Sequence, residues 1–287
     1  MCKRDGDRCK NAHNYGGKVM SDSAQPYVLS RMSGRVLWLT LNRPEARNPL
    51  SSAMISALKS SITLANNDRE VKVIVITGSG KVFSAGHDLK EMSGRTLDDP
   101  LTREQRVNDV LNSCADMMMS LVKSPKAIIA CVQATATAAG CQLVSMCDLA
   151  IASENAKFCT PGVNIGTFCS TPLVGIGRNI HRKHAMELAL TGDLFSAADA
   201  VRFGLLNRAV PTDFLMEETE KLAQKIASKS AIGIKAGKDA FYQQLEMPIE
   251  AAFAHAGASM VAAMLSEECE EGVCAFFDKR EPQWGDL

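Results

Sequence analysis

The chain has 287 residues, of which 46% are hydrophobic and 22% are charged. Its 32 Lys and Arg residues balance 32 Asp and Glu residues, so the formal net charge is zero. The composition is typical of a globular protein with a sizeable core. Neutral charge and an aromatic content of 5% argue against nucleic acid as a partner. No apolar run reaches about eighteen residues, so membrane insertion is not expected.

The N-terminal residues 1–24 are predicted to form a disordered tail. They contain no apolar segment typical of a secretory signal, and their acidic residues are atypical of an organelle transit peptide. Met20 is an alternative start. The location therefore stays open between the mitochondrion and the cytosol.

Ten cysteines are present, and none forms a Cys-x-x-Cys pair, so no metal site is expected. Most of them lie in apolar stretches, which indicates buried, reduced thiols. Reduced thiols indicate a reducing compartment.

Residues 25–210 are predicted to form an α/β core in which strands alternate with helices. Order begins near Tyr27, and Ser51 or Ser52 is a suitable N-cap for the first long helix. Apolar spacing predicts strands over 36–41, 71–77, 127–133 and 149–152, and helices over 51–66, 104–123 and 138–146.

Residues 211–287 are predicted to form a helical C-terminal region without strands. Helical spacing covers 214–228 and 232–245, and then 249–277 almost continuously, with one or two breaks. Alanine and methionine are frequent there, which favours close helix packing in a cap or an oligomer contact.

Several segments resemble known binding or catalytic motifs but do not match their residue patterns. Gly78-Ser79-Gly80-Lys81 has the wrong spacing for a phosphate-binding loop, and Gly175-Ile176-Gly177 lacks the third glycine of a dinucleotide site. His181 and His184 share a helix face with no acidic ligand beside them, so we expect a solvated basic face. The sequence contains no Gly-x-Ser-x-Gly motif, so a serine hydrolase of that type is not supported.

Two turns rich in glycine and alanine carry the functional signal. One spans residues 83–92 after a buried strand, and the other spans 138–143 at the start of a helix. Backbone N–H groups from two such turns can form an oxyanion hole. The alternative is that both turns serve packing alone.

The order and spacing of these turns resemble the crotonase superfamily, the enoyl-CoA hydratase/isomerase fold. Similar blocks lie at residues 41–44, 146–148, 190–192 and 204–206, and the resemblance runs from about Tyr27 to Trp284. Residues 84–90, 138–143 and 160–164 carry a closer match to one subgroup. The resemblance implies a ββα-spiral core, a C-terminal helical oligomerisation region, and a trimer or a dimer of trimers.

The resemblance also implies a coenzyme A thioester as substrate or ligand, with no further cofactor. The backbone N–H groups of His87 and Ala139 would hold the thioester oxygen. Glu45 replaces a family lysine that contacts coenzyme A, and Arg47 is a possible substitute. The implied ligand contacts are Ala85, His87, Asp88, Leu89, Lys90, Ala139 and Gly140, with Phe276 and Lys279 from a helix that reaches coenzyme A across a subunit boundary in some relatives.

The two glutamates that family hydratases use as acid and base correspond to Gln142 and Gly162, twenty positions apart as in the family. An amide does not take up a proton near neutral pH, and glycine has no side chain. Ordinary enoyl-CoA hydration is therefore not expected. The isomerases that use only the second glutamate lose their chemistry too.

Whether the chain is an enzyme stays open at this point. One alternative is a decarboxylase of malonyl-type thioesters that uses the oxyanion hole and His87, although the tyrosine of such enzymes is absent from 155–182, where Thr167, Cys169 and Ser170 lie instead. Others are a thioesterase, with Cys141 or Cys169 as nucleophile, and a non-catalytic regulatory scaffold. Asp148 is expected to be structural.

Overall fold

A computed structural model describes residues 25–94 and 101–285. It confirms the predicted α/β class, while the predicted N-terminal tail lies outside the described residues. The strands are β1 (Val28–Ser33), β2 (Val36–Leu41), β3 (Val73–Gly78), β4 (Val82–Ser84), β5 (Ala127–Val132), β6 (Thr135–Thr137), β7 (Leu149–Ser153), β8 (Lys157–Cys159), β9 (Phe195–Ser196) and β10 (Arg208–Val210). The helices are α1 (Ser52–Asn67), α2 (Leu89–Ser93), α3 (Arg103–Val122), α4 (Ala139–Met146), α5 (Pro172–Asn179), α6 (Arg182–Thr191), α7 (Ala197–Phe203), α8 (Leu215–Ala227), α9 (Ala231–Gln244), α10 (Ile249–Met264) and α11 (Glu267–Asp278).

The strands form two sheets. The larger sheet has the order β1-β2-β3-β5-β7-β10, and all its neighbours are parallel except β1 and β2. The smaller sheet has the order β4-β6-β8-β9, in which β4, β6 and β8 are parallel. Because β4, β6 and β8 follow the large-sheet strands β3, β5 and β7 in the chain, each turn of the chain contributes to both sheets.

The larger sheet is covered on both faces, as expected of a mainly parallel sheet. Alternate residues of β2 point to opposite sides: Leu37 and Leu39 join the main core with α1, α3 and α4, whereas Trp38 packs with α8. Leu215 and Ala223 of α8 are buried against that second face. The predicted start of α1 is confirmed, since the Ser51 side chain accepts a hydrogen bond from the Met54 N–H.

After β10 the described chain contains only helices. Two helices that meet at a 66° bend cover this stretch, in agreement with the predicted nearly continuous helix with one or two breaks over 249–277. Ser266 starts the second one by accepting a hydrogen bond from the Cys269 N–H, a local cap that competes with helix continuation. Among the described residues no single helix is long and apolar enough to span a membrane, although α10 and α11 meet that criterion as a bent pair.

Asp148 links the C-terminal helices to the core. Its carboxylate accepts hydrogen bonds from Lys238 Nζ at 2.7 Å, from the Tyr242 hydroxyl at 2.8 Å and from the Ile128 N–H at 2.7 Å. Lys238 Nζ also donates to the carbonyl oxygens of Leu121 and Lys126. The expected structural role of Asp148 thus extends to holding α9 against the ends of α3 and β5.

Candidate active site

The two glycine- and alanine-rich turns are in direct contact. Gly86, which follows β4, has a φ of +84°, and a Cβ atom at this position would lie 2.8 Å from Ala138 Cβ and 3.0 Å from the Thr137 oxygen. A Cβ at Gly140 would lie 2.5 Å from the Ser84 oxygen. Glycine at both positions therefore lets the backbone of one turn approach the other.

The second turn contains a strained residue. Ala138 has a φ of +50° and a ψ of −120°, which a residue with a Cβ rarely adopts. Its N–H donates to the Cys159 oxygen at 2.9 Å, which ties the turn to the end of β8. Ala138 is the N-cap residue of α4, so the helix begins at Ala139.

Two backbone donors lie where the turns meet. Neither the His87 N–H nor the Ala139 N–H has an acceptor among residues 25–94 and 101–285. Ala139 begins α4, where the first N–H groups have no partner within the helix and carry partial positive charge. This arrangement suits a carbonyl oxygen that gains negative charge.

Asn48 holds the first turn in place, and sequence analysis missed it. Its side chain accepts from the Arg43 N–H and donates to the carbonyl oxygens of Ser79 and Val82 at 2.9 and 2.8 Å. Its own carbonyl oxygen accepts from the Ser84 hydroxyl at 2.8 Å. Asn48 is fully buried and has a φ of +49°, a conformation that asparagine tolerates.

The rest of the first turn leads to the surface. The Asp88 carboxylate caps α2 by accepting from the N–H groups of Lys90 and Glu91. Ala85 is half-buried, whereas Leu89 and Lys90 are exposed. The turn therefore connects the two backbone donors to a solvent-exposed lysine.

His87 is half-buried, and its Nε2 atom is buried without a hydrogen-bond partner among the described residues. Burial lowers the pKa of His87, and the nearby Glu91 carboxylate opposes this shift in part. The imidazole is therefore neutral at neutral pH.

Gln142 lies one turn into α4, three residues after Ala139. Its side chain is buried, with only 5% of the residue exposed, and its Oε1 atom has no partner within the described part of the chain. A buried amide oxygen without a partner is costly. It therefore marks a place where a ligand or water completes the site.

Gly162 lies in a short 3-10 helix (Pro161–Ile165) and is buried. A Cβ atom here would lie 2.9 Å from Cys169 N and 3.0 Å from Cys169 Sγ. The segment around Cys169 therefore fills the space that a side chain at position 162 needs.

Three thiols of the core are buried and free: Cys141, Cys159 and Cys169. Burial raises the pKa of each of them, to about 11 for Cys159. The nucleophile hypothesis for Cys141 and Cys169 loses support, because a nucleophile needs the thiolate. No group of three His, Cys, Asp or Glu residues in the described ranges is arranged to hold a metal ion.

The remaining predicted contacts lie apart from the turns. Phe276 is exposed on α11, which packs against α9 and α10, and Lys279 is the exposed residue that follows the last turn of this helix. Arg47 is exposed, and the Glu45 carboxylate accepts from Arg43 Nε at 2.6 Å. Within one chain, the structure joins the residues of the two turns but not the C-terminal pair.

The predicted basic face at residues 181–184 needs a correction. His181, Arg182 and Lys183 are exposed, but the His184 ring stacks on Phe203 with centroids 3.9 Å apart. His184 Nδ1 also lies 3.7 Å from a Glu187 carboxylate oxygen. His184 therefore packs against α7 instead of being solvated.

Comparison with known proteins matches this geometry to one family. The family model described as Enoyl-CoA hydratase/isomerase matches residues 31–287. The chain is 43% identical to the Rattus norvegicus "Enoyl-CoA hydratase domain-containing protein 3, mitochondrial" over 246 residues, covering 86% of this chain and 80% of that protein. It is 42% identical to the Homo sapiens protein of the same name over 249 residues, covering 86% and 79%.

Solved structures of proteins from the same family are also similar to this chain. The crystal structure of human enoyl coenzyme A hydratase domain-containing protein 3 superimposes with a TM-score of 0.85 at 40% identity, covering 91% of this chain and 100% of that one. A Mycobacterium smegmatis enoyl-CoA hydratase gives 0.85 at 43% identity, covering 91% and 99%. The spiral fold expected from the sequence resemblance, and the closer match to one subgroup, are confirmed.

Proposed function

The chain belongs to the enoyl-CoA hydratase/isomerase family, and from this premise we propose that it binds acyl-CoA thioesters at the two contacting turns. The thioester oxygen accepts hydrogen bonds from the backbone N–H groups of His87 and Ala139. The close contact of Gly86 with Ala138 and Ala139 carries this proposal. Preorganised donors at this point stabilise an enolate more than the neutral thioester.

Ordinary hydration is not part of the proposed function. The Gln142 amide can orient a water molecule but does not accept its proton. Gly162 supplies no acid, and the space beside it is filled by Cys169. The same absence removes the base of a one-glutamate isomerase.

The coenzyme A moiety extends outward along the first turn. Ala85, Asp88, Leu89 and Gly140 provide its walls, and the exposed Lys90 pairs with a phosphate group. Phe276 and Lys279 reach the ligand from a neighbouring subunit of a trimer or hexamer. Support for self-association comes from large exposed apolar side chains on the C-terminal helices: Ile249, Phe253, Leu265, Phe276 and Phe277.

We place the protein in the mitochondrion. Support comes from the names of relatives such as the rat and human proteins, which are termed mitochondrial. Its buried free thiols suit a compartment that keeps cysteines reduced.

A second candidate function is decarboxylation of malonyl-type thioesters. Loss of CO₂ forms the enolate directly, so no carboxylate base is needed. The unpartnered Nε2 of His87, which lies beside the proposed oxyanion donors, favours this candidate because it offers a polar contact to an acyl carboxylate.

The test combines binding with turnover. Calorimetry should detect binding of a saturated acyl-CoA to the wild type. The variant Ala139→Pro should weaken it, because proline lacks the N–H but is tolerated at the first helical position. Circular dichroism checks that the variant folds.

Turnover is measured by mass spectrometry after incubation of enoyl-, saturated and malonyl-type thioesters in deuterated buffer. Hydration of enoyl-CoA at an enzymatic rate would contradict the absence of an acid–base pair. Release of free coenzyme A would indicate a thioesterase. Absence of binding to every thioester would overturn the proposal and leave the scaffold alternative.

A further inference from the structure

Ser84 contacts both of the turns that form the candidate site. It is the last residue of β4, it is fully buried, and it lies opposite Ala136 in the parallel pair of β4 and β6. A Cβ atom at Gly140 would lie 2.5 Å from the Ser84 oxygen and 2.7 Å from Ser84 Cβ. The backbone directly after the Ala139 donor therefore packs against Ser84.

The Ser84 hydroxyl also joins two backbone groups around the first turn. It donates a hydrogen bond to the Asn48 carbonyl oxygen at 2.8 Å and accepts one from the Gly86 N–H at 3.3 Å. Gly86 is buried. Removal of the hydroxyl would therefore take the acceptor from a buried N–H and the donor from a carbonyl oxygen, and buried polar groups that lose a partner are costly.

The peptide group between Gly86 and His87 is held by a different bond. Its carbonyl oxygen accepts a hydrogen bond from the Leu50 N–H at 2.8 Å. The C=O and N–H groups of a trans peptide point in opposite directions. The His87 N–H therefore points away from Leu50.

Gly86 stands between two anchored peptide groups. The Ser84 hydroxyl holds the one before it, and the Leu50 N–H holds the one after it. Gly86 has a φ of +84°, but a glycine adopts other backbone torsions at little steric cost. The direction of the His87 N–H therefore depends on both anchors and not on the torsional preference of Gly86.

We propose that Ser84 is a positioning residue for the two backbone donors. Its hydroxyl fixes the direction of the His87 N–H, and its contact with Gly140 fixes the distance from that donor to the Ala139 N–H. The proposal rests on the proposed function, since it requires a thioester oxygen to be held by these two groups. Donors that are fixed before the ligand arrives polarise the carbonyl group without a cost of reorganisation.

The experiment measures the carbonyl stretching frequency of butyryl-CoA bound to the full-length protein. Infrared difference spectra use an isotope label at the thioester carbonyl carbon and enough protein to bind all of the ligand. In the wild type, hydrogen bonds to the oxygen should lower this frequency relative to free butyryl-CoA.

In Ser84→Ala about half of this shift should be lost, because one of the two donors is misdirected. The dissociation constant should rise by about 2–10-fold. Ser84→Cys keeps a weaker donor and acceptor, so its frequency should lie between those of the wild type and the alanine variant.

Ser153→Ala is the matched control. Ser153 is also fully buried and is also the last residue of a strand, β7. Its hydroxyl accepts from the Asn155 N–H, again two residues further on, at 3.1 Å and lies 2.6 Å from Thr212 Oγ1. The control loses comparable hydrogen bonds outside the candidate site, so its melting temperature should fall while the carbonyl frequency and the affinity stay unchanged.

Each other outcome has a defined meaning. An unchanged frequency in folded Ser84→Ala, or in Ser84→Cys if the alanine variant does not fold, overturns the proposal while acyl-CoA binding stands. An equal loss of the shift in Ser153→Ala also overturns it, because the effect would then follow from general destabilisation. A wild type that binds butyryl-CoA without a lowered frequency overturns the assignment of the two donors, and one that binds no thioester overturns the proposed function as a whole.

Discussion

Replacing Gly86 by alanine tests the contact on which the candidate site depends. The new Cβ would lie 2.8 Å from Ala138 Cβ, 3.0 Å from the Thr137 oxygen and 3.2 Å from Ala139 N. Two of these three atoms belong to the backbone, so the turns must separate. The φ of +84° adds about 1–2 kcal/mol for a residue with a Cβ, and overpacking adds about 1–3 kcal/mol.

The expected loss of stability is therefore about 2–5 kcal/mol, measured by urea unfolding. Separation of the turns also misplaces one of the two N–H donors. A hydrogen bond contributes about 0.5–1.5 kcal/mol, so the dissociation constant of a saturated acyl-CoA should rise by about 2–10-fold. Calorimetry at a temperature where the variant is folded measures this change.

Gly34→Ala is the matched control. Gly34 also has a positive φ, +56°, but its Cβ would meet only the end of the Gln224 side chain at 3.3 Å. It lies on the hairpin between β1 and β2, outside the candidate site. The control should lose about 1–2 kcal/mol and keep its acyl-CoA affinity. If Gly86→Ala behaves like the control in both measurements, the argument from the contact between the turns is wrong.

Three further predictions concern the groups around the site. Asp148→Asn should destabilise the fold by about 3–5 kcal/mol, because the buried Lys238 ammonium loses its carboxylate; a urea midpoint close to that of the wild type would contradict this. Ala138→Gly should raise the melting temperature, since relief of strain of about 1–3 kcal/mol exceeds the entropic cost of glycine, and a lower value would count against the strain. In the unfolded chain the His87 imidazole takes up a proton below about pH 6.5. In the folded chain its pKa is lower, so it stays neutral to a lower pH. Stability therefore falls as pH drops from 7.5 to 5, and His87→Gln should show a smaller fall in thermal melts; equal slopes would exclude His87 as the cause.

The sequence predicted the long helices and strands because their apolar residues recur with a regular period over enough positions. The strand at 36–41 matches β2 to the residue, and the first helix begins one residue after its Ser51 cap. The strands β4, β6 and β8 were missed because three residues are too few for a period of two to be recognised. These short strands position the site, since they end at Ser84, Thr137 and Cys159.

The candidate site was predictable in its residue types but not in its contacts. Glycine and alanine in two turns indicated backbone donors, yet the approach of Gly86 to Ala138 depends on the parallel pairing of β4 with β6 in the smaller sheet, which is not visible in the sequence. The position of Cys169 beside Gly162 depends on the path of the intervening loop. By contrast, the break within 249–277 had a local signal, because Ser266 precedes acidic residues as N-caps often do.

The attachment of α4 at both ends has a consequence for ligand binding. Its first turn is locked by the contact of Gly140 with Ser84, and the Asp148 carboxylate, two residues beyond its end, is tied to Lys238 and Tyr242. These two attachments oppose sliding of α4 along its axis, so we expect the Ala139 N–H to keep its position when a ligand binds. Association then requires little ordering of the backbone, so most of the free energy of contact remains available as affinity.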